Sequence, residues 1–322
     1  MKKIVITGSN GFIGSSLVQY LYKKGYHKKY DFILIDRKDN PYGDTYSKNT
    51  MCYRVDINKD LKELKTFRDD VEIVVHLAAI PSVRESDRNI KNVIDDNILA
   101  SYNIVKKCIE FWNPKRLLIA SSSSVYDGRE DIEMKEDFVL RLLSPYGHTK
   151  LTVEEMVQMY CNNKLLQNTT AILMRIFTCY GPRQRDELAI HAIIDSYLND
   201  KVFTLYGDGS QRRDFTYIDD TCSAIEHLMF GSIYKEMNPQ IYNIGTGTNH
   251  SINEIIALVG RLLDKNITIK HEASTIYDTM YTKAGKSRIE SVTLNGEEWI
   301  NKMDFVDGIK EQIKWIKNQK NI

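Results

Sequence analysis

Lys3-Ile4-Val5-Ile6-Thr7-Gly8-Ser9-Asn10-Gly11-Phe12-Ile13-Gly14 decides the fold, because an unbroken apolar run passes directly into glycines at 8, 11 and 14. The run reads as a short buried strand. The glycine spacing fits a tight turn, a close backbone approach to a pyrophosphate and a helix packed tightly on the strand. A helix over residues 12 to 24 would aim its N-terminal amides at that phosphate. Gly8, Gly11, Phe12, Ile13 and Gly14 are therefore candidate cofactor residues. Asp36 ends the next apolar strand, Phe32-Ile33-Leu34-Ile35, at the place where a carboxylate can hold an adenosine ribose. That favours NAD over NADP, while Arg37 beside it offers a guanidinium that could receive a 2′-phosphate.

Outward from this start, apolar runs near 32, 51, 72, 116 and 170 alternate with helical stretches near 12, 61, 90 and 146. That order predicts an α/β fold, a doubly wound parallel sheet of the dinucleotide-binding kind with helices on both faces. The pattern changes after residue 177. A helix at 186–199, a strand at 201–205 and the Gly207-Asp208-Gly209-Ser210 turn suggest a smaller C-terminal α+β substrate lobe. Phe215-Thr216-Tyr217-Ile218 and Ile241-Tyr242-Asn243-Ile244 are expected to return to the sheet, and helices are expected at 252–263 and 304–319. The expected division is 1–177 for the dinucleotide-binding domain, with a return at 214–246, and 178–213 with 247–322 for the substrate lobe.

With 322 residues, 42% hydrophobic, and a net charge of +1, the chain can bury a large core and shows no basic excess directed at nucleic acid or anionic lipid. No apolar run reaches the roughly 18 residues of a membrane span, and no secretory leader pattern is present. A soluble cytoplasmic protein is expected. The five cysteines are scattered without Cys-x-x-Cys pairing, and no carboxylate and histidine cluster has metal-ligand spacing, so neither a disulfide framework nor a metal is expected.

The chemistry concentrates in Tyr146-Gly-His-Thr-Lys150, downstream of Ser121-Ser122-Ser123-Ser124-Val125-Tyr126. Four residues apart on a helix, Tyr146 and Lys150 share one face, where an ammonium can favour a phenolate. A free phenol titrates near 10, so a fixed cation is needed to make it a base near neutrality. Together the Gly-x-x-Gly-x-x-Gly spacing, the Ser-Ser-Ser-Val-Tyr stretch and Tyr-x-x-x-Lys resemble the extended short-chain dehydrogenases/reductases, and within them the NAD-dependent nucleotide-sugar epimerases and dehydratases. Further stretches match in order, among them Asp56-Ile57, His76-Leu77-Ala78-Ala79, Asn97, Tyr180-Gly181-Pro182-Arg183-Gln184, Arg213-Asp214-Phe215 and Tyr242-Asn243-Ile244-Gly245.

The resemblance implies NAD as cofactor, with Asp56, Ile57, Leu77, Ala78, Ala79, Asn97, Tyr146 and Lys150 joining the glycines and Asp36 around it. It implies Tyr146 as the base for the sugar 4-hydroxyl, Ser122 as its hydrogen-bonding companion and Lys150 as holder of the nicotinamide ribose, with a transient 4-ketosugar. It also implies a homodimer. Relatives that dehydrate the sugar place Asp-Glu where Ser123-Ser124 stands, and decarboxylating relatives usually carry a glutamate at the second place. Serines cannot supply that acid and base. Epimerisation at C4 needs no further acid or base, so a nucleotide-sugar 4-epimerase is expected.

Thr178, followed by Arg185 and Ala189-Ile190-His191, is more similar to the UDP-glucuronate 4-epimerases than to those acting on UDP-glucose or UDP-N-acetylglucosamine, which carry Asn at the first place. Ser123, Ser124 and Thr178 could donate hydrogen bonds to a C6 carboxylate. Arg84 and Arg185 are candidate guanidinium contacts, Arg213 matches the arginine that meets the diphosphate, and Asp278 aligns with a ribose ligand. UDP-glucose or UDP-N-acetylglucosamine epimerisation, decarboxylation or dehydration, and a non-catalytic dinucleotide-binding protein are the alternatives. Two departures stand out. Asp127 precedes Gly128 where Val-Tyr is normally followed directly by Gly, and Gly285 replaces an expected Asp, which leaves the nucleotide base open.

Overall fold

In a computed structural model, the backbone is described for residues 1–41, 45–59, 70–81, 83–126, 132–233, 238–274 and 279–320, with the side chains of Arg84 and Glu85 outside that description. Along the first half run β1 (Lys2–Thr7), α1 (Phe12–Lys23), β2 (Tyr30–Asp36), β3 (Thr50–Arg54) and β4 (Val71–His76). Next come α2 (Val83–Arg88), α3 (Ile90–Ile94), a π-type turn Asp95–Leu99, α4 (Ala100–Lys107), β5 (Arg116–Ser122), α5 (Pro145–Asn162) and β6 (Thr170–Ile176). The second half holds β7 (Thr178–Tyr180), α6 (Ala189–Leu198), β8 (Phe203–Tyr206), β9 (Arg212–Tyr217), α7 (Ile218–Phe230) and β10 (Gln240–Ile244). It ends with β11 (Asn249–Ser251), α8 (Ile252–Leu263), β12 (Ile269–Glu272), α9 (Ser287–Glu290) and α10 (Phe305–Lys320).

Seven strands form one parallel sheet in the order β10, β6, β5, β4, β1, β2, β3. Strand order reverses between β1 and β4, and the crevice at such a switch point is where this architecture binds ligands. The continuous apolar runs follow from burial on both faces. Ile4 and Ile6 point into a core shared with α1 and α7, while Val5 points into a second core with α4 and α5.

The C-terminal elements build a smaller part against one end of this sheet. β7, β9 and β11 make a three-stranded sheet, and β8 pairs in parallel with β12. The expected return of Phe215–Ile218 to the main sheet is therefore corrected: Phe215 pairs with Thr178 in the small sheet, Ile218 begins α7, and only the strand around Ile241–Ile244 joins β6. The expected helix near 61 lies outside the described residues, as do Asp127, Gly128 and Asp278. Among the described residues no helix is long and apolar enough to cross a membrane.

Candidate active site

The switch point opens into a cavity of about 660 Å³ that runs from Asp36 at one end to Thr178 and Arg185 at the other. Gly8 has φ +69°, which glycine adopts readily, and a Cβ there would lie 2.6 Å from the Ala78 backbone nitrogen. A Cβ at Gly14 would lie 2.0 Å from the Gly8 carbonyl oxygen, so bare glycine is what lets α1 start against the end of β1. At Gly11 a Cβ would meet only the Gly8 oxygen, at 3.2 Å, and Gly11 lines the cavity. Gly11 is also the N-cap of α1 and gives it no side-chain cap, so the first-turn amides are left open beside the cavity. An anionic pyrophosphate fits this cradle.

At the far end of this half, Asp36 accepts hydrogen bonds from the backbone of Asn10 at 3.0 Å and of Lys38 at 2.9 Å, which hold its carboxylate at the cavity wall. Asp56, Ile57, Leu77, Ala78 and Ala79 complete the lining there. These residues fit an adenosine with its ribose hydroxyls toward a carboxylate.

The other half is built by α5 lying across the end of β5. Ser144 caps α5 by accepting from the Gly147 amide at 3.1 Å, and Pro145 occupies its first turn. A Cβ on Gly147 would come within 2.4 Å of the Ser124 carbonyl oxygen, so this glycine lets the serine turn sit directly against Tyr146. Tyr146 and Lys150 are both buried and both line the cavity. The Lys150 Nζ donates to the Ala120 carbonyl at 2.9 Å and lies 5.9 Å from the centre of the Tyr146 ring.

Burial pushes the Tyr146 phenol up to about 12, opposed by a hydrogen bond with Ser122 and by the charge of Arg185. Burial brings the Lys150 ammonium down to about 8, opposed by Glu154 one turn further along α5. The charge that opposes the burial of the phenol is thus that of Arg185, while the Lys150 ammonium is held on Ala120. His76 is neutral, driven down to about 3 by burial and then by Lys150, and bridges Thr7 at 2.6 Å and Ser101 at 3.0 Å.

Ser122, Ser123, Ser124, Thr178 and Arg185 line the reacting end together, and Arg185 reaches the Pro81 carbonyl at 3.3 Å. Two expected contacts fall elsewhere, and the side chain of a third, Arg84, lies outside the described residues. Asn97 is buried behind the wall, where its amide accepts from the Ile80 N–H at 2.8 Å and donates to Thr149 at 3.0 Å, so it fixes the loop and does not line the cavity. Arg213 lies in β9 outside the lining, with Nη1 on the Arg212 carbonyl at 2.9 Å. Arg84 belongs to α2, whose Ser86 hydroxyl accepts from the Tyr146 amide at 3.1 Å. His191 packs against Gln184, its Nδ1 3.0 Å from that residue's carbonyl oxygen.

Phe177, Cys179, Leu188, Pro81 and Val83 also line this end. They are ordinary apolar residues that carried no signal in the sequence. Every carboxylate among the described lining residues, Asp36, Asp39, Asp56 and Asp96, belongs to the adenosine end.

The sequence profile of the NAD dependent epimerase/dehydratase family matches residues 4–245. Over 98% of both chains this protein is 32% identical to one from Methanocaldococcus jannaschii provisionally named a UDP-glucose 4-epimerase. It is 31% identical to the UDP-glucuronate 4-epimerase of Thermodesulfobacterium geofontis, over 97% of this chain and 95% of that one. The crystal structure of the Bacillus cereus UDP-glucuronic acid 4-epimerase in complex with UDP-glucuronic acid and NAD superimposes with a TM-score of 0.87 at 31% identity, covering 98% of this chain and 99% of the other.

Proposed function

This chain belongs to the NAD dependent epimerase/dehydratase family and is an NAD-dependent nucleotide-sugar 4-epimerase, and from that premise we propose that it interconverts UDP-glucuronate and UDP-galacturonate. One observation carries the reading. Ser122, Ser123, Ser124 and Thr178 present hydroxyls beside the Arg185 guanidinium at an end of the cavity whose described lining holds no carboxylate. A sugar carboxylate would find donors there and would share Arg185 with Glu187, which meets the guanidinium at 3.0 Å from outside the lining. The same lack of a carboxylate argues against dehydration, which needs a second acid and base.

In this reading Tyr146 takes the proton of the 4-hydroxyl and returns it after the sugar has turned, while Ser122 holds the oxygen between them. NAD, when bound, supplies the hydride acceptor at C4 and then the donor to the opposite face. Lys150, fixed on Ala120, would hold the nicotinamide ribose, and Arg185 lowers the cost of the phenolate. Residues 178–213 and 247–322 would carry the sugar nucleotide. Ile90, Ile94 and Leu99, and Met159 of α5, are exposed on helical elements that pack together, which supports a homodimer through this side of the molecule.

The test incubates the purified protein separately with UDP-glucuronate, UDP-glucose and UDP-N-acetylglucosamine and follows the C4 and anomeric protons by NMR. Conversion of UDP-glucuronate alone is expected, and Thr178→Asn is expected to shift preference toward UDP-glucose by about tenfold, the worth of one charge-assisted hydrogen bond. Conversion of a neutral sugar in preference would overturn the substrate and keep the mechanism.

A further inference from the structure

Arg37 follows Asp36 at the end of β2, where a guanidinium is well placed to receive the 2′-phosphate of NADP. Its guanidinium is already engaged. Nη2 lies 2.6 Å from Asp96 Oδ2 and Nη1 donates to Asp96 Oδ1 at 2.8 Å, a two-pronged pair. Asp96 comes from the π-type turn Asp95–Leu99, so the pair joins β2 to a different wall of the same cavity, and both residues line it.

The carboxylate is the fixed partner. Its side chain is only 11% exposed, against 47% for Arg37, and Asn58 Nδ2 donates to Oδ1 at 2.6 Å. The Asn58 side-chain oxygen is itself buried without a hydrogen-bond partner among the described residues, so Asn58 is held chiefly through Asp96. The neighbouring charges are also matched: Asp39 meets Arg54 at 3.0 Å, Asp56 meets Lys59 at 3.7 Å, and Asp36 takes two backbone amides.

We propose that Asp96 is a specificity-determining residue for the cofactor, holding the Arg37 guanidinium away from phosphate recognition so that NAD is preferred over NADP. A 2′-phosphate brings a charge of about −1.5 to −2, typical of a phosphomonoester near neutrality, into a place lined by Asp36 and Asp96. To be received it would have to take Arg37 from a largely buried, bonded carboxylate. Asparagine at 96 removes the charge, frees the guanidinium and keeps an oxygen for the Asn58 amide. The inference rests on the use of NAD and is independent of which sugar is turned over.

The experiment compares the wild type with Asp96→Asn, Arg37→Ala and the double variant as purified holoenzymes. Each is incubated with an equimolar excess of NAD and NADP, and the cofactor released by denaturation is quantified by chromatography. The NADP-to-NAD ratio is expected to rise about tenfold in Asp96→Asn, as a freed charge-assisted contact at a half-exposed site allows. It should stay at the wild-type value in Arg37→Ala and return there in the double variant. An unchanged ratio in Asp96→Asn overturns the proposal. So does a rise that survives the loss of Arg37, since Lys38, which also lines the cavity, would then be the receptor. Asp96→Ser carries the same expectation should Asp96→Asn fail to fold.

Discussion

Glu154 on α5 and Arg175 on β6 meet in a two-pronged ion pair, Nη2–Oε2 at 2.7 Å and Nε–Oε1 at 3.0 Å, with the side chains 5% and 3% exposed. Ser121 adds a hydrogen bond to Glu154, and Arg175 also donates to the Tyr126 hydroxyl at 2.9 Å. The pair therefore ties the helix bearing Tyr146 and Lys150 to the strand whose neighbour ends in Ser122. Removing one partner leaves a buried charge uncompensated, so Glu154→Gln or Arg175→Met is expected to cost about 3 to 5 kcal/mol in urea unfolding. Glu154→Gln with Arg175→Met should cost less than the sum of the singles. A sum that is simply additive would show that the pair is not coupled.

Lys150 gives a prediction of opposite sign. Its ammonium is buried and titrates at about 8 instead of 10.5, so the folded state releases a proton that the unfolded chain still holds between those values. Stability should therefore rise with pH from about 8 to 10.5, and the penalty is fully present below 8. Lys150→Met removes the penalty, worth at most about 3 kcal/mol at neutral pH, while abolishing turnover. Denaturant titrations at pH 7 and pH 10 measure both effects, and a variant no more stable than wild type at pH 7 would show the burial to be harmless.

How much of this was legible follows from how local each signal is. Gly8, Gly11, Gly14 and Asp36 could be read because their roles are set by the chain immediately around them, a strand end and a helix start. Tyr146 and Lys150 needed only helical spacing. Phe215–Tyr217 read correctly as strand but not as to its neighbour, because alternation fixes a strand's faces and not its pairing, and Ile218 already begins α7. Glu154 with Arg175, and Arg37 with Asp96, are 21 and 59 residues apart, and their charges look like ordinary surface charges until the sheet brings them together.

His76 should make the protein acid-sensitive. Burial, assisted by Lys150, keeps the imidazole neutral down to about 3, whereas the unfolded chain takes up a proton near 6.5. The unfolded state binds more protons in that window, so stability falls as pH drops through it. Between pH 6.5 and pH 5 the loss is about 2 kcal/mol from this residue. His76→Gln, which can still bond Thr7 or Ser101, is expected to flatten that part of the pH dependence. An equal slope in wild type and variant would place the acid sensitivity elsewhere.

Tyr146 carries the prediction closest to the chemistry. Its phenol is held near 12 by burial, so the base form is scarce at neutral pH, and Ser122 and Arg185 are what oppose the burial. Tyr146→Phe is expected to lose about 100-fold or more in kcat, the contribution of a positioned acid-base group, while the purified protein still carries NAD. Retained turnover would point to another base, and absence of turnover in the wild type itself to a binding protein. Arg185→Gln should act in a graded way. Without the guanidinium the phenol moves further up, so kcat falls near pH 7 and the rise of activity with pH is displaced to higher values. If Arg185 serves only to hold the sugar, KM rises, kcat is unchanged and the pH profile stays where it is, which separates a group that tunes the base from one that merely binds.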